Sequence, residues 1–141
     1  MIGGLIASIC ALTLATWGGL AWKARNGRVS AVNADQAGRV SGLTQADIGA
    51  MLGSRATLVQ FSSAFCAPCR ATRQILRDVA ATVEGVAHVE IDAESRLDLV
   101  RRLDVRRTPT TLVLDRDGTI THRASGQPSK ADVIAVLGAT L

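Results

Sequence analysis

The chain opens with an unbroken apolar stretch and then settles into shorter, periodic ones. From Ile2 to Trp22, IGGLIASICALTLATWGGLAW, no residue is charged, whereas Asp, Glu, Lys and Arg recur through the remainder. A helix over this run, at about 1.5 Å per residue, reaches roughly 30 Å, the thickness of a bilayer's hydrocarbon layer. Residues 1–22 therefore read as a transmembrane helix, with Trp17 and Trp22 as interfacial aromatics and Lys23, Arg25 and Arg28 as a basic flank. A cleaved signal would place basic residues before the apolar run and a small-residue cleavage site after it. Neither is evident, so the run is expected to be a retained single-pass anchor, and the basic flank is expected to keep the soluble domain on the cytoplasmic side.

Residues 23–42, KARNGRVSAVNADQAGRVSG, hold few large apolar groups and read as a basic tether, with Val40 as the start of a short edge strand. A compact domain is expected over 43–141. Thr44 and Asp47 form a capping pair opening a short helix through Leu52, and ATLVQF (56–61) has the length and composition of a buried strand. Ile75, Leu76, Val79 and Val83 fall on one face of an amphipathic helix over 67–84, stopped by Gly85. VAHVEI (86–91) is a second strand, and SRLDLVRRL places Leu97, Val100 and Leu103 on one side of a third helix. TTLVLDRDGTITHRAS reads as two strands joined at Asp117 and Gly118, and Ser129 with Asp132 caps a last helix whose Val133, Ile134, Val136 and Leu137 face inward. A β-α-β unit followed by a hairpin predicts an α/β sandwich with a mixed central sheet and helices on its faces.

Length and charge narrow this only slightly. The 141 residues suit one domain behind the anchor, and the net charge of +4 is modest. Aromatic residues make up 3% of the chain, which leaves little to stack on bases and speaks against nucleic acid as a partner. Arg101, Arg102, Arg106 and Arg107 form a basic cluster. It is either a solvated helix end or a surface for acidic proteins or anionic lipid.

The candidate chemistry lies in FSSAFCAPCRAT, residues 61–72, where the first strand of the β-α-β unit hands over to its helix. A Cys-x-x-Cys pair in that position is a redox signature. Cys66 stands at the helix N-terminus, where unpaired N–H groups favour a thiolate, and Pro68 suits a first turn that needs no N–H. Cys69 lies one turn on, within disulfide reach, while Arg70 and Arg73 add positive charge. Two other readings stand beside this one: two core cysteines, or half of a zinc site completed by His88, His122 or Cys10. Cys10, inside the apolar run, is expected to pack as a small hydrophobe.

Residues from about 43 to 141 resemble a thioredoxin domain. FCAPC is similar to the family's W-C-G-P-C, RRTPTTLVL to its cis-proline loop and following strand, and SGQPSKADVIAVL to its glycine-bearing turn and last helix. The resemblance implies a thioredoxin-like three-layer sandwich, Cys66 as nucleophile and Cys69 as resolving cysteine of a redox-active disulfide, and a cis peptide before Pro109. It further implies a substrate surface formed by Thr108, Pro109, Phe65, Ala67 and Pro68. Three positions depart from the pattern: Phe65 for Trp, Ala67 for Gly, and Gln60 for the family's buried Asp. His88 lies near the place of the family's partner Lys, so Gln60 and His88 become candidates for an altered proton relay.

The expected function is that of a membrane-tethered thiol-disulfide oxidoreductase reducing protein disulfides. The resemblance implies no cofactor and no metal, disulfide-containing protein substrates, a dithiol electron donor such as a thioredoxin reductase, and a monomer. Two alternatives are an extracytoplasmic thiol reductase or oxidant, as in cytochrome maturation, and a non-catalytic thioredoxin-fold binding module in a membrane complex.

Overall fold

A long helix, α1 (Ile2–Arg25), leads into a five-stranded mixed sheet: β1 (Val29–Ala31), β2 (Ala56–Ser62), β3 (Val86–Asp92), β4 (Thr110–Asp115) and β5 (Ile120–Ser125). The computed structural model describes residues 2–32 and 42–140, with side chains from residue 6 onward. Among the described residues four further helices follow: α2 (Gln45–Ile48), α3 (Ala67–Thr82), α4 (Leu97–Arg102) and α5 (Lys130–Thr140). The strand order is β1-β5-β4-β2-β3, with β2 and β3 parallel and the other pairs antiparallel.

Alternation along β2 divides the core in two. Ala56 and Leu58 point to one face and pack with Leu76 and Val79 of α3 and Val133 and Leu137 of α5. Val59 and Phe61 point to the other and pack with Ile48 of α2, Leu99 of α4 and Leu103, which caps α4. All seven residues of β2 are buried, because the strand is covered on both faces and paired on both edges. The result is a three-layer α/β sandwich with the expected mixed sheet.

The elements differ from the sequence expectation at their edges. The Thr44–Asp47 capping box forms in full, but α2 stops at Ile48 rather than Leu52, since Gly49 turns into the left-handed region (φ 68°). At α4 the buried pair is Leu99 and the C-cap residue Leu103, one turn apart, while Leu97 is 52% exposed. Ile134, expected to face inward on α5, is also exposed. The segment read as tether carries β1, whose residues pair with His122, Arg123 and Ala124 on the outer edge of the sheet. Val40, the expected start of an edge strand, lies outside the described residues.

The exposed apolar side chains of α1 include Ile6, Ile9, Leu12, Leu14, Trp17, Leu20 and Trp22. Among the described residues no helix is long and apolar enough to cross a membrane.

Candidate active site

The pairing brings one end of three strands together. The C-terminal end of β2 lies beside the start of β4 (Phe61 opposite Thr110), and the start of β4 lies beside the end of β5 (Thr110 opposite Ser125). The loop after β2 thus meets the loop before β4. Ser63 Oγ and Thr108 Oγ1 are 3.0 Å apart, joining the two loops by a hydrogen bond. The Thr108–Pro109 peptide is cis, as the resemblance implied, and the buried Pro109 carbonyl accepts from Gly126 N at 2.7 Å.

Cys66 and Cys69 form a disulfide at the first turn of α3, with their Cα atoms 5.2 Å apart. Cys66 is the N-cap residue, and the Cys69 amide donates to its sulfur at 3.2 Å. Pro68 sits within the first turn, where no amide donor is required. The two sulfurs are held differently: Cys69 is 1% exposed, whereas Cys66 is partly open and Phe65, Ala67 and Pro68 beside it are exposed. Phe65 has the full exposure of an unpacked side chain.

Beneath Cys69 lies a buried polar layer. Gln60 is fully buried, and its Nε2 donates to the Cys69 carbonyl at 2.9 Å and to Ser62 Oγ at 2.8 Å. That pair of bonds fixes the amide, because the opposite orientation would set Gln60 Oε1 against the Cys69 oxygen. Gln60 Oε1 is therefore left as an acceptor, and His88 Nε2, 3.3 Å away, is its donor. Gln60 and His88 are thus brought together as the sequence suggested, but the amide is aimed at the Cys69 backbone rather than at its sulfur.

Burial, opposed by Glu90 and reinforced by Arg77 and Arg73, holds the His88 ring below its ordinary pKa of 6.5. Burial also pushes Glu90 up, but hydrogen bonds with Arg73 and Ser62 outweigh it and hold the carboxyl below 4.5. Arg73 grips Glu90 through Nε and Nη2 at 2.6 and 2.7 Å, so its charge is directed there instead of at the cysteines. Sequence reasoning passed over Ser62, Ser63 and Glu90. Strand alternation carried a signal for two of them, since Ser62 and Glu90 share a sheet face with Gln60 and His88.

The arginine cluster is largely divided among partners. Arg102 pairs with Asp47 at 2.6 Å, Arg106 with Asp104 at 3.1 Å, and Arg107 reaches Asn26 and the Ser125 carbonyl.

Residues 42–139 match the thioredoxin family model. A thioredoxin of Staphylococcus aureus is 28% identical over 96 residues, covering 67% of this chain and 91% of that protein. Among solved structures, chloroplastic thioredoxin z superposes with a TM-score of 0.56 at 26% identity, over 62% of this chain and 79% of its own. A thioredoxin of Nicotiana alata does so with 0.54 at 22% identity, over 62% and 74%, a likeness of fold. With the paired cysteines at a strand-to-helix junction and a cis-proline in the adjoining loop, the chain belongs to the thioredoxin family and is a thiol-disulfide oxidoreductase.

Proposed function

We propose that this protein reduces protein disulfides from a membrane tether, with Cys66 as nucleophile and Cys69 as resolving cysteine. The observation that carries the proposal is the asymmetry of the pair: Cys66 caps a helix and is partly open, and Cys69 is sealed behind it. In the dithiol state the Cys66 thiolate attacks one sulfur of a substrate disulfide, forming a mixed disulfide and releasing the other sulfur as a thiolate. The Cys69 thiolate then attacks Cys66 Sγ, releasing the second substrate thiolate and leaving Cys66–Cys69 oxidised. Two electrons pass from the pair to the substrate, and a dithiol donor of the thioredoxin-reductase type restores them. Phe65, Ala67, Pro68, Thr108 and Pro109 form the surface on which an extended substrate segment lies.

Support for the tether comes from α1. Its exposed apolar side chains, Ile6 to Trp22, belong to a run that is uncharged from Ile2 onward. Two hydroxyls within the helix are turned inward on it: Thr13 donates to the Cys10 carbonyl at 2.9 Å and Thr16 to that of Leu12 at 2.7 Å. Such side chains ask nothing of water. Lys23, Arg25 and Arg28 favour the cytoplasmic side, where the thiol poise keeps the pair reduced.

Insulin reduction by the full chain with a supplied reductant tests the chemistry. Cys66→Ser should abolish turnover, and Cys69→Ser should accumulate a mixed disulfide with substrate. Turnover that survives Cys66→Ser would falsify the assignment of the nucleophile. Labelling of reduced Cys66 by a membrane-impermeant thiol reagent in intact cells would move the domain to the outer side.

A further inference from the structure

Where α1 meets the sheet, a groove of about 450 Å³ is lined by Arg25, Arg28, Arg107 and Arg123 with Ser30 and Ser125, and by no carboxylate among the described residues. The arginines come from three separate places: the end of α1 and start of β1, the loop before the cis-proline, and β5. Two are held by neutral acceptors that orient a guanidinium without cancelling its charge. Arg107 reaches Asn26 Oδ1 and the Ser125 carbonyl, and Arg123 reaches the carbonyls of Leu103 and Asp104. Burial lowers the Arg123 pKa even against the pull of Asp104, whose carboxylate is engaged with Arg106. Arg25 and Arg28 have no carboxylate partner among the described residues.

The junction that gathers them is tightly built. Gly27, with φ 81°, donates its amide to the Ser125 carbonyl at 2.9 Å, and a Cβ there would stand 1.8 Å from the Gln127 carbonyl oxygen. Only glycine fits, so the end of α1 is clamped against the loop after β5. The groove is also large enough for a small polar group with several contacts.

We propose that this groove binds the phosphate of an anionic phospholipid headgroup. The inference rests on the reading of α1 as a membrane anchor. Arg25 follows Trp22 by three residues, about 4.5 Å along the helix, so an anchor with Trp22 at the interface sets the groove at headgroup level. Planar guanidinium groups suit phosphate oxygens, and the cytoplasmic leaflet carries the anionic lipids. The groove also bears on orientation. The start of β1 lies beside the end of β5, and so at the same end of the sheet as Cys66 and Pro109. A headgroup in the groove therefore holds the redox end near the bilayer surface, within reach of disulfides in membrane-proximal segments.

The test uses the full chain in a neutral detergent, with phosphatidylglycerol or phosphatidylcholine added and lipid retention read by native mass spectrometry. Wild type should keep phosphatidylglycerol and shed phosphatidylcholine. Arg28→Gln and Arg107→Gln should each weaken retention about tenfold, the scale of one charge-assisted pair. Arg116→Gln, in the exposed turn between β4 and β5, should change nothing. Arg28 has no ion pair to lose among the described residues, so R28Q keeps the test open should R107Q fail to fold. Equal retention of both lipids, or by all variants, overturns the proposal, as does displacement of the lipid by equimolar inorganic phosphate or an acidic peptide. Quenching of Trp17 and Trp22 by brominated lipid in vesicles reports the anchor separately. Its absence sinks the anchor reading and with it the groove's lipid, whereas quenching with unselective retention sinks the groove alone.

Discussion

Below and above the disulfide, the same short stretch of chain meets two different environments. Below, Gln60, Ser62 and the Cys69 backbone are buried and bonded to one another, with His88 and Glu90 closing the layer from β3. Above, Phe65, Ala67 and Pro68 are exposed to solvent. The contrast separates two tasks. The floor holds Cys69 in place and withholds it from solvent; the lip leaves Cys66 reachable and offers apolar surface to whatever brings a disulfide. Changes in the floor should therefore register in stability, and changes in the lip should register in substrate affinity.

The largest effect should come from Gln60→Leu. It preserves volume but takes a donor from the Cys69 carbonyl and from the Ser62 hydroxyl and an acceptor from the His88 N–H, so three groups each lose one partner in the buried layer. A loss of about 3 kcal/mol is expected, read as a lower urea midpoint at unchanged slope. A loss below about 0.5 kcal/mol would mean that the layer is wet or that the amide contributes nothing, and the distinction between floor and lip would dissolve.

The floor has one blemish that can be turned to use. Thr111, opposite Gln60 on β4, has a buried hydroxyl without a hydrogen-bond partner among the described residues, as does Thr72 on α3. Replacing an unsatisfied buried hydroxyl by a methyl removes a desolvated group and leaves the shape intact. Thr111→Val should raise stability by about 1 kcal/mol. Destabilisation of that size instead would place a polar partner in the floor.

The lip responds differently. Phe65→Ala removes no internal packing, so stability should stay within about 0.5 kcal/mol of wild type. The KM for a protein disulfide should rise about fivefold, while turnover of a small-molecule disulfide stays constant, as for an aromatic contact at an interface. An unchanged KM would remove Phe65 from the substrate surface.

Most of this floor and lip could be read from residue order, and the parts that could not are those decided by contacts far apart in sequence. The capping box, the β-α-β unit, the Asp-Gly hairpin and the cysteine pair are local patterns with strong physical causes. By contrast, β1 is three residues, VSA, too short to show alternation, and it is a strand only because β5 offers an open edge. The helix α4 is barely two turns, so the choice of buried face fell to packing against Phe61 and Ile91 rather than to periodicity. Arg73 looked like a cation for the thiolate because it follows Cys69 by one turn. The register that sets Glu90 within its reach is invisible in the sequence around it.

The smallest expected effect concerns pH, and it separates the floor's interior from its rim. His88 is depressed in the folded state chiefly by burial, so the unfolded chain takes up the proton first. Its contribution is therefore fully present above the unfolded value near 6.5 and is lost as pH falls through the lower folded value. Glu90 is also depressed, but its loss begins only below about 4.5, so the two windows are distinct. Because the His88 ring is only partly buried, solvent screening limits the effect to about 0.5 kcal/mol between pH 7 and 5.5. His88→Gln, which keeps a donor for Gln60 Oε1 and cannot titrate, should flatten that part of the stability curve, while the acid limb below pH 4.5 persists, since Arg73 and Ser62 act on Glu90 more strongly than the His88 charge that is lost. If the slope between pH 7 and 5.5 survives the substitution, the titrating group lies elsewhere and His88 belongs to the solvated rim rather than to the floor.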